Sequence, residues 1–225
     1  MEAVFVADRE RSHPDTSAVL DRALARGARV FDLAPGVLER VADTVTPQPV
    51  LAVVGMPDAT LDELAAKSFV VVCVNVRDPG NAGAVIRVAH AAGAAGVVCC
   101  EGTVDPFNPK TVRASAGSIL HIPIVAAGDA LEVLQTLGRF GYRRLGAASR
   151  GGTPYTEADL TSPLALVLGN EASGLSPELE GHLDGSVTIP MSGGVESLNV
   201  STAAAVLCFE SARRRSNLHA MEEAR

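Results

Sequence analysis

The chain has 225 residues, 47% of them hydrophobic, which is enough for one medium-sized domain with a buried core and a small appendage. Its formal net charge of −7 argues against a protein held on nucleic acid by its overall electric field. Aromatic residues make up 4% and tryptophan is absent, so the core must consist mainly of Val, Ala, Leu and Ile. This composition favours an α/β fold.

The first part of the chain predicts a small α/β appendage. Residues 4–7, 29–33 and 50–54 read as strands, and residues 17–26 as a helix that ends at a glycine. These elements are too few for a stable core of their own. We expect the following boundaries: an appendage at 1–58, a linker at 59–68, the main domain at 69–215 and a tail at 216–225.

The main domain alternates short β-branched runs with helical patterns. Continuous apolar runs predict strands that are buried on both faces. With helices between them, such strands form a mainly parallel sheet covered by helices on both faces, and ligands bind beyond the carboxyl ends of its strands. The predicted strands are residues 70–74, 97–100, 122–125, 164–168 and 186–190.

The four cysteines lie in apolar runs without the spacing of a metal site, so we expect buried free thiols and no metal. No targeting signal precedes the first strand, and no apolar run is long enough to cross a bilayer. We therefore expect a cytoplasmic protein.

The first notable motif is residues 75–87, NVRDPGNAGAVIR, which leave a predicted strand and begin a helix. Asn81 is expected to cap that helix. Gly83, Arg87 and Ala91 recur at helical spacing, so the arginine stands on a stripe of small residues that another backbone or a ligand can approach closely. The alternative is an ordinary solvated arginine.

The second motif is residues 166–176, LVLGNEASGLS, a strand followed by a loop that carries Asn170 and Glu171. Gly169 and Gly174 bracket the loop and allow close backbone approach, which suits a loop that wraps a small molecule. The alternative is an ordinary connection between a strand and a helix.

The third motif is residues 189–202, IPMSGGVESLNVST, followed by a helix that runs towards Arg215. Ser197, Asn199 and Ser201 offer caps, and the start of the helix presents free N–H groups to a polar ligand. A capped helix after a glycine turn explains single residues here but not the whole string.

In order and at similar separations, these three segments resemble the signature motifs of SpoU-type (TrmH-like) RNA ribose 2′-O-methyltransferases. Residues 108–118, NPKTVRASAGS, resemble the segment that lies between the first two motifs in that family. The resemblance covers residues 70–213. It implies a C-terminal trefoil knot, S-adenosyl-L-methionine as cofactor, and an active site at a homodimer interface. The expected dimer face lies on the last helix, at Ala203, Val206, Leu207 and Glu210.

The resemblance also implies residue roles. Arg87 would act on the ribose 2′-hydroxyl, while Asn81, Glu171 and Asn199 would order the catalytic site by hydrogen bonds. The cofactor would contact Leu168, Gly169, Asn170, Glu171, Gly174, Ile189, Met191, Ser197, Leu198 and Asn199.

For the substrate, the resemblance favours ribosomal over transfer RNA, because the appendage resembles part of the small RNA-binding domain of rRNA-modifying members. The beginning of that domain pattern is missing here. Local basic residues are the candidate RNA contacts: Lys110, Arg113, Arg143, Arg144 and Arg150. The alternatives are a tRNA 2′-O-methyltransferase, a knotted methyltransferase that acts on a base nitrogen, and a non-catalytic RNA-binding module.

Overall fold

The computed structural model describes residues 1–7, 10–42, 46–161 and 163–223, without the side chains of residues 218–223. The chain divides into two compact units, Met1–Met56 and Pro57–Arg225.

The first unit is a three-stranded sheet with helices. Its elements are β1 (Ala3–Ala7), α1 (Pro14–Ala25), β2 (Arg29–Leu33), α2 (Val37–Val41) and β3 (Val50–Val53). β1 lies in the centre, parallel to β2 and antiparallel to β3. Val4 and Val6 are buried against Leu20 and Ala23 of α1. The four predicted elements are present, and α1 begins earlier than expected because Pro14, which has no N–H to satisfy, starts it.

The second unit is a seven-stranded sheet with helices on both faces. In chain order its elements are β4 (Phe69–Cys73), α3 (Pro79–Ala91), β5 (Gly96–Cys99), α4 (Pro109–Ala114), β6 (Ile124–Ala126), α5 (Ala130–Arg139), β7 (Arg143–Ala148), β8 (Thr153–Pro154), β9 (Leu164–Leu168), α6 (Pro177–Glu180), β10 (Gly185–Thr188) and α7 (Val200–Glu223). The strand order is β6-β5-β4-β9-β7-β10-β8, and within the described residues every pairing between strands of this sheet is parallel. This confirms the predicted α/β class.

Alternate residues of the central strands serve two cores. Val71 of β4 packs into a core that includes residues of α3 and α7, whereas Val70 and Val72 pack into a core that includes residues of α5. Because side chains alternate across a strand, continuous apolar runs are what such a covered sheet requires.

Residues 59–68 were predicted as a linker, and this is wrong. The 3₁₀ helix Leu61–Leu64 starts with a capping box formed by Thr60 and Glu63, and Leu64 is fully buried in the core of the second unit. The hydroxyl of Tyr142 donates a hydrogen bond of 2.7 Å to the carbonyl of Leu64. The apolar residues of the segment therefore belong to the second unit.

The predicted tail is also wrong for most of its length, because α7 continues to Glu223. Residues 224 and 225 lie outside the described residues. Two arginines of α7 contact other parts of the second unit. Arg214 donates to the carbonyl of Ala158 at 2.7 Å, and the guanidinium of Arg215 lies 4.5 Å from the centre of the Phe69 ring.

Strand β7 was not predicted. It begins with Arg143 and Arg144, and the rest of the strand, LGAA, contains no β-branched residue. Arg144 makes three hydrogen bonds of 2.8 Å to the carboxylate of Asp184, two from its side chain and one from its backbone N–H. The hydrogen bonds between Arg144 and Asp184, at the start of β7, compensate for the weak strand propensity of this segment.

All four cysteines are buried and free, as predicted. Burial raises the pKa of the Cys100 and Cys208 thiols to about 12, so these side chains stay protonated and unreactive at neutral pH. Within the described residues, no helix is long and apolar enough to cross a membrane.

The small-residue stripe of α3 is used for packing at Gly83. A Cβ atom there would lie 2.4 Å from the carbonyl oxygen of Thr111 and 2.5 Å from the Cβ of Ala114. Glycine thus lets α4 pack directly on α3, the close backbone approach that the sequence predicted.

We predict that Gly83→Ala lowers the free energy of unfolding by about 1–3 kcal/mol, because the added methyl group overlaps the α4 backbone. Gly128→Ala is the matched control, since a Cβ there meets no described atom within 4 Å. Urea unfolding measures both. Equal stabilities for the two variants would contradict the packing described here.

Candidate active site

The three sequence motifs leave the carboxyl ends of parallel strands, so they meet at one edge of the sheet. The first follows β4, the second follows β9 and the third follows β10. Strand β7 ends at the same edge, which adds a fourth loop that sequence reasoning missed.

A line of hydrogen bonds joins the three motifs. The side-chain amide of Asn199 donates to Oδ1 of Asn81 at 2.9 Å, and the side-chain amide of Asn81 donates to Oε1 of Glu171 at 3.0 Å. The predicted ordering residues are therefore in direct contact.

Asn81 is free to make these bonds because it does not cap its own helix, and the predicted N-cap is wrong. The side chain of Asp78 caps α3 instead, accepting from the backbone N–H of Asn81 at 2.9 Å. Pro79 occupies the first helical position, where its missing N–H costs nothing. The DPG turn thus supplies the cap and leaves the amide of Asn81 for the site.

Glu171 is held as a carboxylate. Burial raises the pKa of Glu171, but hydrogen bonds from the Asn81 side chain and from the backbone N–H groups of Glu171, Asp78 and Arg77 outweigh that effect and lower the pKa below its ordinary value. An ionised carboxylate accepts hydrogen bonds only, so Glu171 orders the loops around it.

Asn170 fixes the loop of the second motif. Its amide donates to the carbonyl of Asn75 at 2.9 Å, and its Oδ1 accepts from the backbone N–H groups of Ala172 and Ser173. A Cβ at Gly169 would lie 2.5 Å from the carbonyl carbon of Gly174, so only glycine permits this tight loop.

Asn199 also starts α7. Its Oδ1 accepts from the backbone N–H of Ser201 at 2.8 Å and from the Ser201 hydroxyl at 2.7 Å. One side chain therefore caps the last helix with its oxygen and reaches the first motif with its nitrogen.

Three of these loops, those that follow β7, β9 and β10, line a cavity of about 740 Å³, within the range of small-molecule sites. Every predicted cofactor residue lines this cavity except Asn199, which donates a hydrogen bond to Asn81 instead. Residues 146–152 form a further wall that was not predicted. The signal was present in Gly151 and Gly152, whose positive φ angles of 70° and 87° turn the chain sharply after β7.

Arg87 lies apart from this cavity. It is six residues beyond Asn81 on α3, which corresponds to about 9 Å along the helix axis. Its side chain is exposed, does not line the cavity, and makes no hydrogen bond or ion pair with any described residue. Within one chain, the predicted catalytic cation and the cofactor cavity are not brought together.

Four of the five predicted RNA-contact residues form ion pairs within the chain. Arg144 is the most firmly held, through its bonds to Asp184. The closest N–O distances of the others are 3.3 Å for Arg143 with Asp159, 3.3 Å for Arg150 with Glu196, and 3.7 Å for Lys110 with Asp78. Arg113 lies on α4 with Lys110. These cations are partly neutralised by the protein itself.

A family model of the SpoU rRNA methylases matches residues 68–209. The Bacillus subtilis 23S rRNA (guanosine(2553)-2′-O)-methyltransferase RlmP is 38% identical over 83% of this chain and 73% of its own length. The SpoU methyltransferase AviRb from Streptomyces viridochromogenes, crystallised with AdoMet, superposes with a TM-score of 0.81 at 29% identity, covering 96% of this chain and 83% of AviRb. The A. aeolicus TrmH/SpoU tRNA modifying enzyme has a TM-score of 0.62 at 28% identity, covering 70% of this chain and 80% of its own.

The fold and the site define an α/β protein with a cavity of small-molecule size where the carboxyl ends of its parallel strands meet. The chain belongs to the SpoU rRNA methylase family. This confirms the expected enzyme class: the chain is an S-adenosylmethionine-dependent RNA ribose 2′-O-methyltransferase.

We predict that Asn199→Ala and Asn199→Asp separate the two roles of this side chain. The alanine variant loses the cap of α7, at a cost of about 1 kcal/mol of stability, whereas the aspartate keeps it. Both lose the N–H that binds Asn81 and should transfer methyl groups about tenfold or more slowly, because an unpaired polar partner costs about 1–3 kcal/mol. Urea unfolding and single-turnover kinetics measure the two effects. A normal rate for Asn199→Asp would show that the bond to Asn81 is dispensable.

Proposed function

We propose that this chain methylates a ribose 2′-hydroxyl of ribosomal RNA. The observation that carries the proposal is the hydrogen-bonded line from Asn199 through Asn81 to Glu171, at the edge of a cavity of cofactor size. The RNA named for the B. subtilis relative supports ribosomal RNA.

The cavity fits S-adenosylmethionine. The side chains of Leu175, Ile189 and Leu198 offer apolar surface, while glycines at 169 and 174 leave room for close backbone contact. When bound, the cofactor supplies an activated methyl group, so the residues of the chain have to align it with the hydroxyl and raise the reactivity of that oxygen. We propose the ten predicted cofactor residues as this site, with Asn199 acting through Asn81.

We propose Arg87 as the catalytic cation. A guanidinium keeps its proton at neutral pH and cannot serve as a general base. Instead, its charge lowers the pKa of the ribose hydroxyl and stabilises the developing negative charge, while a substrate phosphate takes the proton. With no bond to a described residue, Arg87 is available for this contact.

A homodimer would bring Arg87 of one protomer to the cavity of its partner, and we propose this arrangement. Two residues of the face expected from the sequence are occupied within the chain: Leu207 is buried in its own core, and Glu210 is paired with Arg213 and Arg214. Phe209 is 51% exposed on α7 and is the better candidate for the interface.

Sedimentation equilibrium at micromolar concentration should show a dimer, and an active monomer would exclude a shared site.

For RNA contacts, we propose Lys110, Arg113 and Arg143. The first and last of these belong to exposed ion pairs, which are weak and can exchange for a phosphate. Arg144 is committed to Asp184 and is a structural residue. We also propose a cytoplasmic location, where free thiols stay reduced. Methyl transfer should need no metal ion, because the cofactor itself carries the activated group.

We predict that the enzyme places its methyl group on ribose in a 23S rRNA transcript, because Arg87 and the ordered motifs suit a hydroxyl acceptor. Nuclease digestion and mass analysis of RNA methylated with labelled cofactor locates the group. A label on a base would support a methyltransferase that acts on a base nitrogen, and no label on any RNA would support a non-catalytic module. Labelling of tRNA alone would overturn the ribosomal assignment.

We predict that Arg87→Ala slows single-turnover methyl transfer about a hundred- to a thousandfold, equivalent to about 3–4 kcal/mol of lost transition-state stabilisation. Arg87→Lys should also be slow, because a flexible ammonium does not reproduce the planar guanidinium. Cofactor affinity by calorimetry should be unchanged in both, since Arg87 does not line the cavity of its own chain and, in the proposed dimer, acts on the ribose hydroxyl. A near-normal rate for Arg87→Ala would identify Arg87 as an ordinary solvated arginine.

A further inference from the structure

The charges around the cofactor cavity are unequal. Among the described residues that line it, Arg150 is the one cation, and the acids are Glu171, Glu180 and Glu196. The carboxylate of Glu171 is already committed to Asn81 and to backbone N–H groups. A negatively charged group of a ligand in this cavity has one side-chain cation to bind.

Arg150 and Glu196 face each other from two different loops. Nη2 of Arg150 lies 3.3 Å from Oε1 of Glu196. Arg150 stands before the turn at Gly151 and Gly152, and Glu196 follows Gly193 and Gly194, whose φ angles of 75° and 76° are also positive. Both residues therefore sit beside turns that set the path of their loops.

This ion pair does little for the stability of the chain. The side chains are 76% and 85% exposed, and such pairs are screened by water and salt. Exchanging their partners therefore costs the protein little, and the residues are free to serve a ligand.

We propose that Arg150 and Glu196 bind the α-carboxylate and the α-ammonium of the cofactor's methionine part. The methionine part carries a negative and a positive group on one carbon atom, and the protein offers the opposite charges side by side in the same cavity. Arg150 would hold the carboxylate and Glu196 the ammonium, through charge-assisted hydrogen bonds. Before cofactor binding the two side chains pair with each other, so neither charge lacks a partner in either state.

This assignment replaces the RNA-contact role predicted for Arg150. It also explains why Arg150 lies on the cavity wall and not with Lys110 and Arg113 on α4. A phosphate contact would not require a carboxylate at the side of the arginine, whereas an amino acid zwitterion matches both charges.

Two ligands that differ only in the methionine part test the proposal. S-adenosylhomocysteine carries both charged groups, and 5′-methylthioadenosine carries neither. We predict that Arg150→Ala weakens S-adenosylhomocysteine about tenfold in calorimetry, equivalent to about 1.4 kcal/mol, and leaves 5′-methylthioadenosine within about twofold. Glu196→Gln should weaken S-adenosylhomocysteine about three- to tenfold with the same selectivity.

Two matched variants control for general effects of charge. Arg139→Ala removes an exposed arginine of α5 that does not line the cavity, and Glu178→Gln neutralises an exposed acid of α6 that does not line it either. Both should bind the two ligands as the unaltered protein does. The proposal is overturned if Arg150→Ala weakens both ligands equally, if it weakens neither, or if it weakens RNA binding while S-adenosylhomocysteine affinity is unchanged.

Discussion

The site depends on one directed line of hydrogen bonds. The backbone N–H of Ser201 donates to Asn199, the amide of Asn199 donates to Asn81, and the amide of Asn81 donates to Glu171. Each asparagine must accept with its oxygen and donate with its nitrogen, which a carboxylate cannot do. The line ends on a carboxylate that only accepts, and the lowered pKa of Glu171 keeps it in that state.

The parallel sheet makes this line possible, because it delivers segments far apart in sequence to one edge. Asn81 and Asn199 are 118 residues apart along the chain. Packing then holds the segments in place: α4 packs directly on α3 at Gly83, and Asn170 ties the second motif to the carbonyl of Asn75. Where the structure lacks such fixed partners, at Arg87, Arg150 and Glu196, it presents exposed charges that serve substrate and cofactor in our proposals.

Much of this arrangement could be predicted from the sequence, because buried strands and glycine-bracketed loops have strong local signals. The strands at residues 29–33 and 164–168 have the predicted bounds. The ordering residues were identified through their resemblance to family motifs, and the structure shows them in contact.

Other features depend on tertiary context. The cap of α3 was assigned to Asn81 because Asp and Asn are equally good caps, and only the fold shows that Asn81 is needed elsewhere. Strand β7 lacks β-branched residues and is held by pairing with β9 and β10, so its loop was missed as a cavity wall. On α7 the helical pattern does not distinguish the buried Leu207 from the exposed Phe209, because the face that meets the sheet is set by the strands beneath it.

The most direct test of the central claim is a double-mutant cycle on Asn81 and Glu171, measured by single-turnover methyl transfer to a 23S rRNA transcript. Asn81→Asp sets two carboxylates against each other and should slow the reaction severely. Adding Glu171→Gln restores an N–H between the two positions, with the direction of the bond reversed, so the double variant should be about tenfold or more faster than Asn81→Asp alone. If the double variant is as slow as Asn81→Asp or slower, the line of hydrogen bonds does not set the geometry of the site.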